Sequence, residues 1–211
     1  MPWTIGVGLL LLLMCLALAF VSAGLNTRLA QGRRLPVYSE IQDFNLTNQN
    51  SASISLADLR GHVWISDIIF TRCPGPCLRM SRQMQELQTS LSPRSRARLV
   101  SLTTDPDFDT PPVLLEYGRR FQADTNRWMF LTGTKAQLGG LAMGGLKLSA
   151  VEKSPAERQS ADDLFIHSTI FVIVDQHARL RGIFETQGDG VNWTNVQPRL
   201  ITTVRQLERE R

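Results

Sequence analysis

Two cysteines spaced C-x-x-x-C, in the run Phe70-Thr71-Arg72-Cys73-Pro74-Gly75-Pro76-Cys77, are the residues of this chain best suited to chemistry. The apolar stretch Val63 to Phe70 reads as a strand before them, and Leu78 to Leu91 reads as a helix after them. Both thiols therefore fall where a strand ends and a helix begins. The partial positive charge of a helix N-terminus lowers a cysteine pKa toward the thiolate. Thiolate is both a nucleophile and a soft metal ligand, so redox and metal chemistry are the two candidates. If the intervening residues wind helically, the two cysteines share a face about 6 Å apart at the backbone, close enough to bridge or to hold one ion. Pro74 and Pro76 restrict that loop, and Gly75 relaxes it.

His167 is the third residue of interest, placed just before the strand-like run Ser168 to Val174. A lone histidine more often serves structure than function. Two thiolates with one imidazole and no evident fourth ligand would make a three-coordinate soft site, which suits Cu(I); structural zinc takes four ligands. Asp67 interrupts the apolar strand six residues before Cys73 and alternates with Val63, Ile65 and Ile69, so it is expected on the inward face. Burial there would raise its pKa and make it a candidate proton relay for Cys77. The competing expectation is a carboxylate hydrogen-bonded to a nearby loop. Asp105, Asp107, Asp109 and Glu116 mimic a calcium loop, but Thr110 stands where glycine is needed and two prolines follow. A turn capped by Asp109 or Thr110, opening a helix at Pro111, is the better reading.

The elements that must position these residues alternate in type. Phe44 to Thr47 and Ser53 to Leu56 read as a β-hairpin, followed by a turn at Ala57 to Gly61. Arg98 to Thr103 and Trp128 to Leu131 read as further strands, with a helix from Pro111 to Phe121 between them. Ala136 to Leu148 is helix-like but broken by four glycines, and Lys153 to Asp163 is a polar loop. Ser168 to Asp175 and Arg179 to Glu185 form an antiparallel pair. Thr194 to Arg209 is a closing amphipathic helix with Val196, Leu200, Val204 and Leu207 inward. Strands alternating with helices define an α/β class. Met80 and Met84 are expected in the core, and His62 and His177 in exposed turns.

The whole chain bounds the reading. Its 211 residues suit one domain with a real core. The first 27 residues carry no charge, and Ile5 to Ala23 is long and apolar enough to span a bilayer as a helix. A signal peptide cleaved after Val21-Ser22-Ala23 is the rival, but Met1 to Thr4 lacks the usual cation, so an uncleaved anchor is favoured. Arg28, Arg33 and Arg34 follow the span, and flanking charge alone would leave the domain in the cytoplasm. Those three arginines account for most of the formal charge of +4; 20 basic and 19 acidic residues remain beyond position 35. That balance gives no reason to expect nucleic acid as a partner. With Cys15 in the apolar run, one thiol pair is left for the domain, too few for a disulfide scaffold.

Four patterns together resemble the Sco (SenC) family over about residues 41–205. FTRCPGPC is similar to that family's copper-site motif. Thr103 to Pro111, with Asp105-Pro106 and Asp109-Thr110-Pro111, resembles its second signature, and Asp163 to Thr169 resembles its third. The hairpin ending at Leu56 to Gly61 matches its N-terminal pattern. The resemblance implies a thioredoxin-like α/β fold with an N-terminal β-hairpin, held by a single N-terminal transmembrane helix. It implies an anchor over residues 1–27, a linker over 28–40 and a domain over 41–211, on the inner membrane and facing the periplasm. It implies one copper bound by Cys73, Cys77 and His167, and a role in assembling the dinuclear copper centre of cytochrome c oxidase. The partner would be the copper-bearing oxidase subunit or another copper donor or acceptor. The alternative is a thiol–disulfide oxidoreductase using Cys73 and Cys77, with Asp67 as relay. Leu78 stands where the family commonly has proline.

Overall fold

Residues 13–18, 20, 35–154, 156 and 165–210 are described in the computed structural model of the chain. They fall in two units, Met1–Pro36 and Val37–Arg211. Residues 13–18 and 20 of the first are helical. Most of the expected membrane span lies outside the described residues, among which no helix is long and apolar enough to cross a membrane.

The second unit begins with β1 (Ser39–Glu40), β2 (Asn45–Asn48), β3 (Ser53–Ser55), α1 (Leu56–Leu59), β4 (Trp64–Ile69) and α2 (Pro76–Ser90). There follow β5 (Arg98–Thr103), α3 (Pro111–Arg120), β6 (Trp128–Thr132), α4 (Lys135–Gly139) and a π-helix over Gly140–Leu146. The chain then forms β7 (Ala150–Glu152), β8 (Phe165–His167), β9 (Ile170–Val174), β10 (Arg179–Glu185) and α5 (Trp193–Leu207). Eight strands make one mixed sheet in the order β1-β10-β9-β4-β5-β6-β2-β3, and β7 with β8 makes a separate ribbon. At its centre β4 runs parallel to β5 and antiparallel to β9. Every residue of β4 is buried, which explains its near-continuous apolar sequence.

Period-two alternation sorts the core into two layers. Trp64, Ile68, Val100, Leu102, Val172 and Val174 join Leu138, Leu141 and Leu146 of α4 and the π-helix on one face of the sheet. The other face carries Ile65, Asp67 and Ile69 and is covered by α2, α3 and α5. Met80, Met84 and Leu87 of α2 are fully buried, as are Leu200 and Val204 of α5. Each such leucine contributes about 2 kcal/mol of apolar burial. The buried positions of α5 are Val196, Leu200, Val204 and Leu207, the stripe expected from its sequence.

Three segments depart from expectation. Leu56–Leu59 is a helical turn, because the Asp58 carboxylate accepts both the amide (2.8 Å) and the hydroxyl (2.7 Å) of Ser55. The glycine-broken stretch stays ordered as α4 followed by the π-helix, with Gly145 packed where a Cβ would come within 3.2 Å of Ile41. The strand before the β9–β10 hairpin is interrupted: β8 leaves the main sheet to pair with β7, with His167 opposite Ala150.

Candidate metal and thiol centre

β4 carries the chain through the middle of the sheet and releases it at Phe70, and the next turn is short because the Cys73 amide donates back to the Phe70 carbonyl (3.2 Å). The helix opens at Pro76, two residues earlier than the apolar spacing suggests, since proline lacks only an amide hydrogen that the first turn would leave unbonded. Cys77 therefore lies inside the first turn, with Cys73 just before it. The Cys77 amide donates to the Cys73 sulfur (3.4 Å) and the Phe70 amide to the Cys77 sulfur (3.5 Å). Both cysteines are buried, Cys73 at 5% exposure and Cys77 at 0%.

Burial pushes the Cys77 thiol well above its ordinary pKa, reinforced by the hydrogen bond and charge of Cys73 and by the negative charge of Asp67. This reverses the expectation drawn from the helix N-terminus: desolvation of a fully buried sulfur outweighs the dipole. A buried dithiol of this kind gives up its protons to a cation that replaces the lost solvation, and soft ligands of this type suit a monovalent copper ion. Asp67 is fully buried on the face covered by α2 and α3, as its alternation implies, and stands opposite Ser101 in the β4–β5 register. The Tyr117 hydroxyl shares a 2.9 Å hydrogen bond with Ser81, one turn after Cys77. Burial raises the Tyr117 pKa, with the charges of Cys77, Asp67 and Cys73 adding to it despite the Ser81 bond.

The loop before Cys73 is clamped from β5 and the segment after it. Asp109, fully buried, accepts the Thr71 amide (3.1 Å), the Thr71 hydroxyl and the Thr103 hydroxyl (2.5 Å). It does not cap α3, whose N-cap is Thr110 with no side-chain bond. Burial raises the Asp109 pKa and the neighbouring Asp105 adds to it, opposed by the bonds from Thr103 and Thr71. Asp105 pairs with Arg72 at 2.6 Å, and that guanidinium lies 4.1 Å over the Phe108 ring. Asp107 pairs with Lys135. The acids that mimic a calcium loop thus point to different partners.

His167 ends β8 three residues before β9 begins, and its imidazole lies outside the described residues. Because β4 and β9 are antiparallel, with Ser66 opposite Val172, the start of β9 is at the same sheet edge as the end of β4. A second link joins that strand to the cysteine helix. The Thr186 amide and hydroxyl both donate to Thr169 O (2.9 and 2.8 Å), while Gln83 donates to Thr186 O (3.1 Å). Gln187 then donates to Pro76 O (3.0 Å) and accepts from Arg79 (2.7 Å).

The SCO1/SenC family model matches residues 34–199. This chain belongs to that family. It is 31% identical over 141 residues to the SCO1 protein homolog of Bacillus subtilis, covering 66% of this chain and 70% of the relative. BsSco, described as a Sco-family member among cytochrome c oxidase assembly proteins and as having a disulfide switch, superposes with a TM-score of 0.69 at 24% identity. The match covers 85% of this chain and 100% of that one. Copper-bound ScoI of Bradyrhizobium japonicum superposes with a TM-score of 0.66 at 17% identity, over 80% and 99% of the two chains. These structures share the thioredoxin-like fold.

Within this SCO1/SenC chain, sequence reasoning located both cysteines and Asp67 but missed the residues that hold them. The second family pattern is itself the clamp: Thr103, Asp105 and Asp109 are what fix Thr71 and Arg72. Tyr117, Ser81 and Gln187 carried no signal of their own, since each acts through a contact at least 36 residues away in sequence.

Proposed function

We propose that the protein binds one copper ion, as Cu(I), through Cys73, Cys77 and His167, and passes it to a copper-bearing subunit of cytochrome c oxidase or to another copper protein. The observation that carries this reading is the pair of buried sulfurs four residues apart at the helix start, each already accepting a backbone N–H. The adjacency of the β4 and β9 ends supports His167 as the third ligand, and the names of the family's relatives support copper and the oxidase. Residues 1–27 would anchor the protein in the inner membrane, 28–40 would form a linker, and the domain from 41 would face the periplasm. Copper would leave by stepwise exchange of ligands with the acceptor's thiolates.

The same two thiols, joined by the hydrogen bond from the Cys77 amide to the Cys73 sulfur, also favour a thiol–disulfide reading, with Asp67 relaying a proton to or from Cys77. Copper titration of the reduced full chain separates the two. The copper reading expects Cys73→Ala, Cys77→Ala and His167→Ala each to lose most of the affinity. Undiminished binding by His167→Ala would remove the histidine from the ligand set. Absence of binding by the parent chain, with intact disulfide exchange, would leave the oxidoreductase.

A further inference from the structure

Cys73 is nearly buried and Cys77 wholly so, so any protein that exchanges a ligand with them must first settle on the surface beside Cys73. A groove lies next to Thr71 and Arg72, the residues that lead into Cys73. It has a volume of about 550 Å³ and is lined by Thr71, Arg72 and Phe108 together with Pro112, Val113 and Arg120 of α3. Tyr117, which shares a hydrogen bond with Ser81 one turn after Cys77, also lines it.

We infer that this groove docks an extended, acidic segment of the copper-exchanging partner, seating an apolar side chain on Phe108, Pro112 and Val113 and a carboxylate against Arg120. The inference rests on the copper reading for what the partner is. Three observations select this occupant. Phe108 is 42% exposed, a large apolar ring left in water beside a functional loop. It is also held in place, since Arg72 lies over it and is itself tied to Asp105, so little ordering cost is left for binding.

The charges point to an acidic partner. Arg72 is neutralised by Asp105, and the one carboxylate of the groove wall, Glu116, pairs with Arg119 (3.4 Å). Arg120 is exposed and forms no ion pair among the described residues, leaving one uncompensated cation at the groove.

The test uses the reduced full chain and three fluorescein-labelled short peptides with the same apolar residues, flanked by glutamates, glutamines or lysines. Their binding is read by fluorescence anisotropy. The glutamate peptide should bind tightest, and Arg120→Glu should invert the order of glutamate and lysine peptides, each step being roughly threefold to fivefold, the scale of one exposed ion pair. Phe108→Ala should weaken all three about tenfold, as loss of an aromatic anchor does. Phe108→Leu, which keeps bulk, serves if the alanine variant does not fold. Equal affinity for all three peptides, or an order unchanged by Arg120→Glu, overturns the proposal. Copper titration of the parent and of Arg120→Glu runs in parallel. Charge preference without copper binding would support the groove while ending the copper reading, and copper binding without charge preference would do the reverse.

Discussion

Thr71, two residues before Cys73, is held at both its amide and its hydroxyl by a single carboxylate, that of Asp109. The same group takes the Thr103 hydroxyl, so the cysteine loop is tied to the neighbouring strand rather than hanging from the end of its own.

Asp109→Ala removes three hydrogen bonds and leaves a half-buried amide without this acceptor. It should destabilise the protein by roughly 2–4 kcal/mol. Copper affinity should fall about tenfold, the factor that about 1.4 kcal/mol of lost positioning produces. Urea denaturation and competition against a Cu(I) chelator read the two effects. A destabilised variant with full copper affinity would show that the clamp supports the fold and leaves the ligands unaffected.

The two thiols should differ in reactivity. Cys77 is fully buried and its pKa is raised, so at neutral pH it remains a thiol, whereas Cys73 is the less deeply buried residue at 5% exposure. Limited alkylation by iodoacetamide followed by mass spectrometry should place the label on Cys73 first. Earlier labelling of Cys77 would contradict the burial argument.

Asp67 repels the Cys77 thiolate through buried charge. Asp67→Asn deletes that repulsion, so the pH at which Cys77 becomes reactive should move down in a Cys73→Ala background. A pH–rate profile of alkylation measures it. An unchanged profile would show that the two groups do not communicate, and unchanged disulfide exchange would end the relay proposal.

Far from the thiols, Arg181 bridges Asp175 (2.6 Å) and Glu210 (2.9 Å) from a position only 4% exposed. Burial alone would raise the Asp175 pKa, but the bonds from Arg179, Arg181 and the Arg179 and His177 amides hold it below its ordinary 3.8. A carboxylate whose folded pKa is lowered adds stability that is present above its unfolded value and is lost as pH falls through the folded one. Asp175→Asn should therefore cost most at pH 7 and progressively less below about pH 4. Arg181→Met removes one of the two guanidiniums on Asp175, which keeps Arg179 and two backbone amides, and should cost about 2 kcal/mol at neutral pH. Urea midpoints at the two pH values check both, and an equal Asp175→Asn cost at each would refute the linkage.

Much of the fold was legible because its signals are local. The strand Arg98–Thr103 and the buried stripe of α5 follow from alternation and helical spacing alone, and Val63 to Phe70 announced a central strand by being apolar at all positions but Ser66 and Asp67. Ala57 to Gly61 reads as a turn in sequence because the helix Leu56–Leu59 depends on a capping carboxylate with no apolar period behind it. The Gly140–Leu146 segment looked broken because its order comes from packing against Ile41 and neighbouring side chains, which outweighs the low helical propensity of glycine.

For the site, the sequence by itself determined that two thiols meet at a strand-to-helix junction and that Asp67 faces inward, since both follow from spacing of a few residues. Only the tertiary structure decided that Cys77 is desolvated enough to override the helix dipole, that Asp109 binds Thr71 instead of capping its own helix, and that Tyr117 and Gln187 belong to the centre. Such facts depend on pairs of residues far apart in the chain, whose contacts exist only once the sheet has brought the ends of β4, β5 and β9 together. The energies involved, from desolvation of a sulfur to hydrogen bonds on a buried carboxylate, are set by that surrounding packing and leave no periodic trace in the order of amino acids.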